Sequence, residues 1–272
     1  MKRRFHMKRY RRMAVLAMAV LAAAVPAAAP PGQTAGTAYA AVLVQGVQGA
    51  DKGGGPGIVE ISRDTKAPAV VDGVIQPQNL EAAREADQMI VVVGTGGCNA
   101  DTYYYAKSED SFELVWKEAS VVGRGGITSD KGEGDGKTPS GTYGFTMAFG
   151  LKEDPGSMLP YHKVVKGDYW VDDPSSSYYN QLVNTSVTSR SWNSAENLAA
   201  ASPYYNYALA LDYNSDRVPG KGSAIFLHCF TASADNGSAG CIRLPESRAK
   251  ELVQTATEKT RIVIAADITQ LK

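Results

Sequence analysis

A histidine at 228 and a cysteine at 241 are the two residues of this chain whose types and spacing suit chemistry together. Only a thiolate attacks a carbonyl, and a free thiol is mostly protonated at neutral pH. A neighbouring imidazole takes that proton and later returns it to a leaving amine. The pattern is therefore that of a thiol nucleophile and its base. Around them, Gly240 permits backbone angles closed to other residues and lets a substrate approach. The turn Ser238-Ala239-Gly240 is expected to turn backbone N–H groups toward the sulfur, where they would stabilise an oxyanion. Arg243 presents a planar, permanently charged fork suited to a substrate carboxylate.

The elements that must position these residues follow from the stretch SAIFLHCFTASADNGSAGCIRLP, residues 223–245. Ala224 to Leu227 reads as a strand that delivers His228 at its end. A loop rich in small residues runs from Thr231 to Ala239, and the Cys241 turn follows. A helix is predicted from Pro245 to Thr257, because Pro suits a first turn and Glu246 favours its positive end. Leu252 and Val253 are its expected core residues, and Arg261 to Ala265 reads as a closing strand.

The element His…Ser-x-Gly-Cys-Ile-Arg resembles the signature of the L,D-transpeptidases, the YkuD-type enzymes that cross-link peptidoglycan. The resemblance implies Cys241 as nucleophile, His228 as base, Ser238 as the source of an added hydrogen bond to the oxyanion and Arg243 as a substrate-holding residue. Two positions depart from the family pattern: Ala239 stands where a second histidine is common, and Cys229 where glycine is. A second stretch, Lys131 to Tyr143 (KGEGDGKTPSGTY), resembles the family's segment leading into a strand beside the active site. Read on its own, it is a turn shaped by Pro139 and Gly141. Glu133, Asp135 and Lys137 are expected to be its solvated charges, and their spacing fits no EF-hand loop.

What the resemblance implies is a mainly β fold, a sandwich or barrel with a few short helices. The implied activity is a cysteine acyltransferase working on the stem tetrapeptides of peptidoglycan. It would pass through a thioester after loss of a terminal D-residue, need no cofactor, and be open to acylation by carbapenems. Two alternatives stand beside it. One is an L,D-carboxypeptidase with water as acceptor; the other is a non-catalytic wall-binding module.

The rest of the chain sets the context. Its 272 residues suffice for one large domain or two small ones. Residues 1–40 hold seven basic side chains, Lys2 to Arg12, and no acid, so the remainder is net acidic and carries no basic nucleic-acid footprint. A basic start, an apolar run from Met13 to Val25 and Ala38-Tyr39-Ala40 read as a signal peptide with its cleavage site. An uncleaved anchor is the competing reading and the one expected route to a membrane. The expected location is outside the cytoplasm, in the cell envelope or wall. Residues 41–76, with the tract Gly53 to Gly57, read as a linker or extension, and 77–272 as the catalytic domain.

Inside that domain, Gln78 to Gln88 has the composition of a short helix. Met89 to Val93, Tyr103 to Lys107, Phe112 to Glu118 and Ala208 to Asp212 read as strands. Residues 160–215 form an aromatic, insertion-like segment, whose rings are expected mostly to pack rather than bind, with His162 structural. Cys98, Cys229 and Cys241 are the three cysteines. No zinc-type spacing is present, so metal chemistry is unsupported. Cys229 invites two readings, a reversible disulfide with Cys241 or burial on the opposite face of a strand.

Overall fold

The computed structural model describes residues 67–109, 111–230 and 236–272. The proposed signal peptide and nearly all of the proposed linker lie outside these residues, as does part of the loop between His228 and Cys241.

The described chain is mainly β. A small hairpin, β1 (Val70–Val71) and β2 (Val74–Ile75), precedes a run of long antiparallel strands, β3 (Gln88–Gly96), β4 (Asn99–Ser108) and β5 (Ser111–Val121). Short strands follow: β6 (Ile127–Thr128), β7 (Thr138–Pro139), β8 (Gly141–Tyr143), β9 (Phe145–Gly150) and β10 (Tyr161–Lys163). Next come β11 (Asp168–Val171), β12 (Gln181–Asn184), β13 (Ala195–Asn197) and β14 (Ala208–Leu211). The chain closes with β15 (Phe226–Cys229), β16 (Ile242–Leu244), the helix α1 (Glu246–Thr255) and β17 (Thr260–Ala265). Ten strands make one sheet in the order β10-β9-β14-β15-β16-β5-β4-β3-β17-β8.

Side-chain alternation explains how this sheet is covered. Met89 to Val93 is apolar without a break because β3 is buried on both faces. Ile90 and Val92 enter the central core, whereas Met89, Val91 and Val93 enter a second cluster with Leu80, Ala82 and Ala86. The central core gathers inward side chains from both halves of the sheet around Ala249, Leu252 and Val253 of α1. Ile90 of β3, Leu209 of β14 and Leu244 of β16 belong to this one cluster. The i, i+3, i+4 spacing of the three α1 residues is what gives the helix its single apolar stripe.

The outer face of β9, β14 and β15 has a separate cover. β11 pairs with β12 and β13 as a three-stranded antiparallel sheet. Its Trp170 packs with Phe149, Phe226 and Tyr205 in a third cluster that also holds Cys241. Ala208 and Ala210 sit beneath these rings. Of the aromatic segment, Trp170, Tyr179, Trp192, Tyr205 and Tyr207 are buried. His162 is held by the buried carboxylate of Asp168 at 2.8 Å, a structural role.

Two expectations change. Gln78 to Gln88 is not one helix but two 3-10 turns, Pro77–Asn79 and Glu81–Arg84, followed by the start of β3. The strand bearing His228 begins at Phe226, not Ala224. Ala224 has φ +52°, a left-handed conformation that breaks extended backbone there and costs an alanine about 1 kcal/mol.

Candidate active site

His228 lies on β15, and Cys241 immediately precedes β16, the parallel neighbour of β15. β15 and β16 pair Leu227 with Ile242, His228 with Arg243 and Cys229 with Leu244. Residues paired across a ladder face the same way, and successive residues alternate. Phe226, His228, Cys241 and Arg243 therefore share one face. Leu227, Cys229, Ile242 and Leu244 share the other and belong to the central core. Phe226 N–H meets Cys241 Sγ at 3.4 Å, which sets Cys241 beside Phe226, two residues before the His228–Arg243 pair.

The imidazole is closely held. His228 is buried, and its Nδ1 lies 2.8 Å from the Cys229 carbonyl. A carbonyl only accepts, so Nδ1 carries the hydrogen, and in the neutral ring Nε2 keeps the lone pair. The Tyr205 ring stands edge-on to the imidazole with centroids 4.9 Å apart, and Tyr204 does so at 6.3 Å. The Arg243 guanidinium lies 5.0 Å from the Tyr204 ring centre.

The thiol is at rest in its protonated form. Cys241 donates to the Ala224 carbonyl at 3.2 Å, and burial, with the Glu196 charge second, pushes the thiol up to about 12. The strained Ala224 is what aims that carbonyl; its own N–H is held by Asn180 Oδ1 at 3.1 Å. Strain of this kind persists only where neighbours over-determine it.

The turn ahead of Cys241 differs from expectation. The Ser238 hydroxyl is buried within the turn, donating to the Cys241 carbonyl at 2.6 Å and accepting from Gly240 N–H at 2.9 Å. Both groups are thus spent on shaping the turn rather than aimed at an oxyanion. Gly240 has φ +151°, and a Cβ there would lie 2.9 Å from the Lys137 carbonyl. That contact ties the Cys241 turn to the second motif. The Thr138 hydroxyl donates to the Gly240 carbonyl at 2.8 Å and accepts from Gly123 N–H at 2.8 Å.

The second motif is therefore not a solvated turn. Lys131 is buried, with Nζ on Asp135 Oδ1 at 2.8 Å. Glu133 accepts from Ser223 Oγ at 2.7 Å and from the Tyr179 hydroxyl. Replacing Thr138 by valine leaves a buried donor and a buried acceptor unmade. The expected loss is about 2–3 kcal/mol, read by chemical denaturation.

Cys229 takes the buried alternative. It is 1% exposed, and its thiol donates to the Tyr207 carbonyl at 3.4 Å on the face away from Cys241. Burial pushes it up to about 12. Non-reducing peptide mapping after mild oxidation of the native protein should find no Cys229–Cys241 bridge; a bridged peptide would contradict the opposed faces.

Sequence reading did not single out Glu196, Asn180 or Ala224, and it placed Tyr205 only among the packing rings. Tyr205 donates its hydroxyl to Glu196 on β13. No spacing in the sequence marks a lone glutamate twenty or more positions from the motifs as a neighbour of the thiol.

The chain matches the family model for the YkuD L,D-transpeptidase catalytic domain over residues 88–264. Among solved structures it is similar to Bdellovibrio bacteriovorus Bd1075, at 16% identity and a TM-score of 0.38, covering 69% of this chain and 51% of that one. It is similar to an Enterococcus faecium L,D-transpeptidase mutant at 15% identity and a TM-score of 0.31, covering 65% and 49%. It is also similar to Mycobacterium tuberculosis L,D-transpeptidase 1 at 16% identity and a TM-score of 0.30, covering 65% and 62%. The matched part is thus less than two thirds of each of these chains. No curated protein matches it. The family model spans more than half of this sequence, and the protein belongs to the YkuD family of L,D-transpeptidase catalytic domains.

Proposed function

We propose that this protein is a peptidoglycan L,D-transpeptidase of the cell envelope, working through a thioester on Cys241. The observation that carries the reading is the fixed tautomer of His228, which leaves Nε2 as the base on the same sheet face as the thiol.

The reaction follows from the residues. Cys241 S–H leaves the Ala224 carbonyl and gives its proton to His228 Nε2. Because burial holds the thiol up to about 12, this transfer is tied to substrate binding and not to resting ionisation. The thiolate attacks the carbonyl preceding the terminal D-residue of a stem tetrapeptide. With Gly240 N–H bonded to Ser238, the oxyanion donor from this turn is assigned to the N–H of Cys241 itself. Collapse breaks the C–N bond, and the imidazolium returns the proton to the leaving amine. An amine of a second stem then attacks the thioester, with His228 taking its proton, and the thiol is restored. Arg243, paired with His228 across the ladder and stacked near Tyr204, is assigned to the donor's carboxylate.

Purified full-length protein mixed with disaccharide-tetrapeptides, followed by mass spectrometry, tests this. Cross-linked dimer with loss of the terminal D-residue supports the transpeptidase. Tripeptide alone moves the assignment to a carboxypeptidase. The absence of any Cys241-dependent change, together with no adduct at Cys241 from a carbapenem, overturns an acyl-enzyme function in favour of a binding module.

A further inference from the structure

Glu196 is a half-buried acid that the proposed reaction does not use, and the fold delivers its carboxyl to the tyrosine whose ring rests on His228. On β13 it pairs with Trp170 of β11, so the two side chains leave the small sheet on one face. The Trp170 ring meets Phe226 at 4.9 Å, and Phe226 N–H meets the thiol of Cys241. From β13 the Glu196 carboxyl accepts the hydroxyl of Tyr205, whose ring edge rests on His228 at 4.9 Å. The charged and titratable groups around it come from every neighbouring element. Asp172 follows β11, Glu133 comes from the second motif, and Arg243 and Cys241 come from the catalytic turn. Lys131 acts on Cys241 from the other side.

We infer that Glu196, acting through Tyr205, is a positioning residue for the His228–Cys241 pair: it anchors the hydroxyl of the tyrosine that holds the imidazole plane, and its charge opposes the thiolate. The two acids compete for one negative charge. An ionised Glu196 disfavours thiolate at Cys241, and a thiolate disfavours ionisation of Glu196. Burial, the largest influence, raises Glu196 to about 7. Below that pH the carboxyl is neutral and the thiol is spared; above it, the carboxylate holds the thiol protonated until substrate arrives. The inference rests on the transpeptidase reading for the purpose of Cys241 but not for its test, which needs no peptidoglycan.

The test is the rate of Cys241 alkylation by iodoacetamide, resolved from Cys98 by mass spectrometry, on full-length protein at pH 6 and pH 8. Glu196→Gln keeps an acceptor for Tyr205 and removes the charge. It should speed alkylation about three- to ten-fold at pH 8, equivalent to half to one pKa unit at the thiol, with a ratio near one at pH 6. A merely structural loosening would speed both alike. Tyr205→Phe keeps the ring on His228 and removes the donor that favours the carboxylate, so it should shift the profile the same way by less. The sign for stability is fixed too. A raised acid binds more protons folded than unfolded between its ordinary value and about 7, so the native protein loses stability as pH rises through that window. Glu196→Gln should therefore show a smaller fall in Tm between pH 5 and pH 8. Equal ratios at the two pH values, or slower alkylation of both variants at pH 8, would overturn the inference whether or not the protein cross-links stems.

Discussion

Cys241→Ala should abolish thioester formation, and His228→Gln should slow it by about 10²- to 10⁴-fold, the usual worth of a positioned general base. The two losses have different shapes. Without the sulfur there is no covalent species, so neither a muropeptide nor a carbapenem leaves an adduct on residue 241. Without the imidazole the sulfur remains, but in surroundings that push it up to about 12. Its residual acylation should then climb steeply as pH rises toward that value. Intact-mass measurement of the acyl-enzyme over time reads both, with Cys98→Ala as the thiol control. A His228→Gln variant that acylates at the native rate at pH 7 would show that the proton leaves by another route.

Gly237→Ala should produce the largest loss of stability among single methyl additions near the site. Gly237 has φ +87°, and a Cβ there would lie 2.4 Å from Arg124 Cα and 2.6 Å from its nitrogen. Neither atom belongs to a side chain that can swing away. The same backbone is fastened to the catalytic turn on both sides: Ser238 N–H donates to the Val122 carbonyl at 2.8 Å, and Arg124 N–H donates to the Ser238 carbonyl at 2.9 Å. Accommodating the methyl means giving up one or both bonds. The expected cost is about 3 kcal/mol, equivalent to about 6–12 °C in Tm for a domain of this size. Acylation should fall with it, because the displaced turn carries Cys241. A variant with native Tm and native acylation would mean that the turn is not tied to β5 as described.

How much of this was legible depended on whether the signal was local. Met89 to Val93 could be read as a doubly covered strand because its continuous apolar run reports burial on both faces. α1 was legible from Pro245 and the spacing of Leu252 and Val253, and it runs Glu246–Thr255 with Pro245 as its cap. His228 and Cys241 stood out because a motif binds them to a turn. The errors arose where a tertiary partner overrode a local preference. The charges of the second motif looked solvated because charges in glycine-rich turns usually are, but Asp135 and Ser223 give Lys131 and Glu133 partners in the interior. Ser238 and Gly240 carry the right groups for an oxyanion site, yet the turn consumes them, and only the closed hydrogen bonds reveal it. Glu196 was invisible because its relation to Cys241 passes through two sheets.

The parallel pairing of β15 and β16 separates catalysis from spacer length. Base and nucleophile are brought into alignment by the ladder, Leu227 to Ile242 and His228 to Arg243, and the intervening segment has only to bridge two fixed ends. Loop closure charges little for extra residues, about 0.6 kcal/mol for each doubling. The twelve residues between His228 and Cys241 are therefore one of several lengths that the ladder permits. On the proposed reading, a variant with residues inserted in that segment should keep His228 and Cys241 in register.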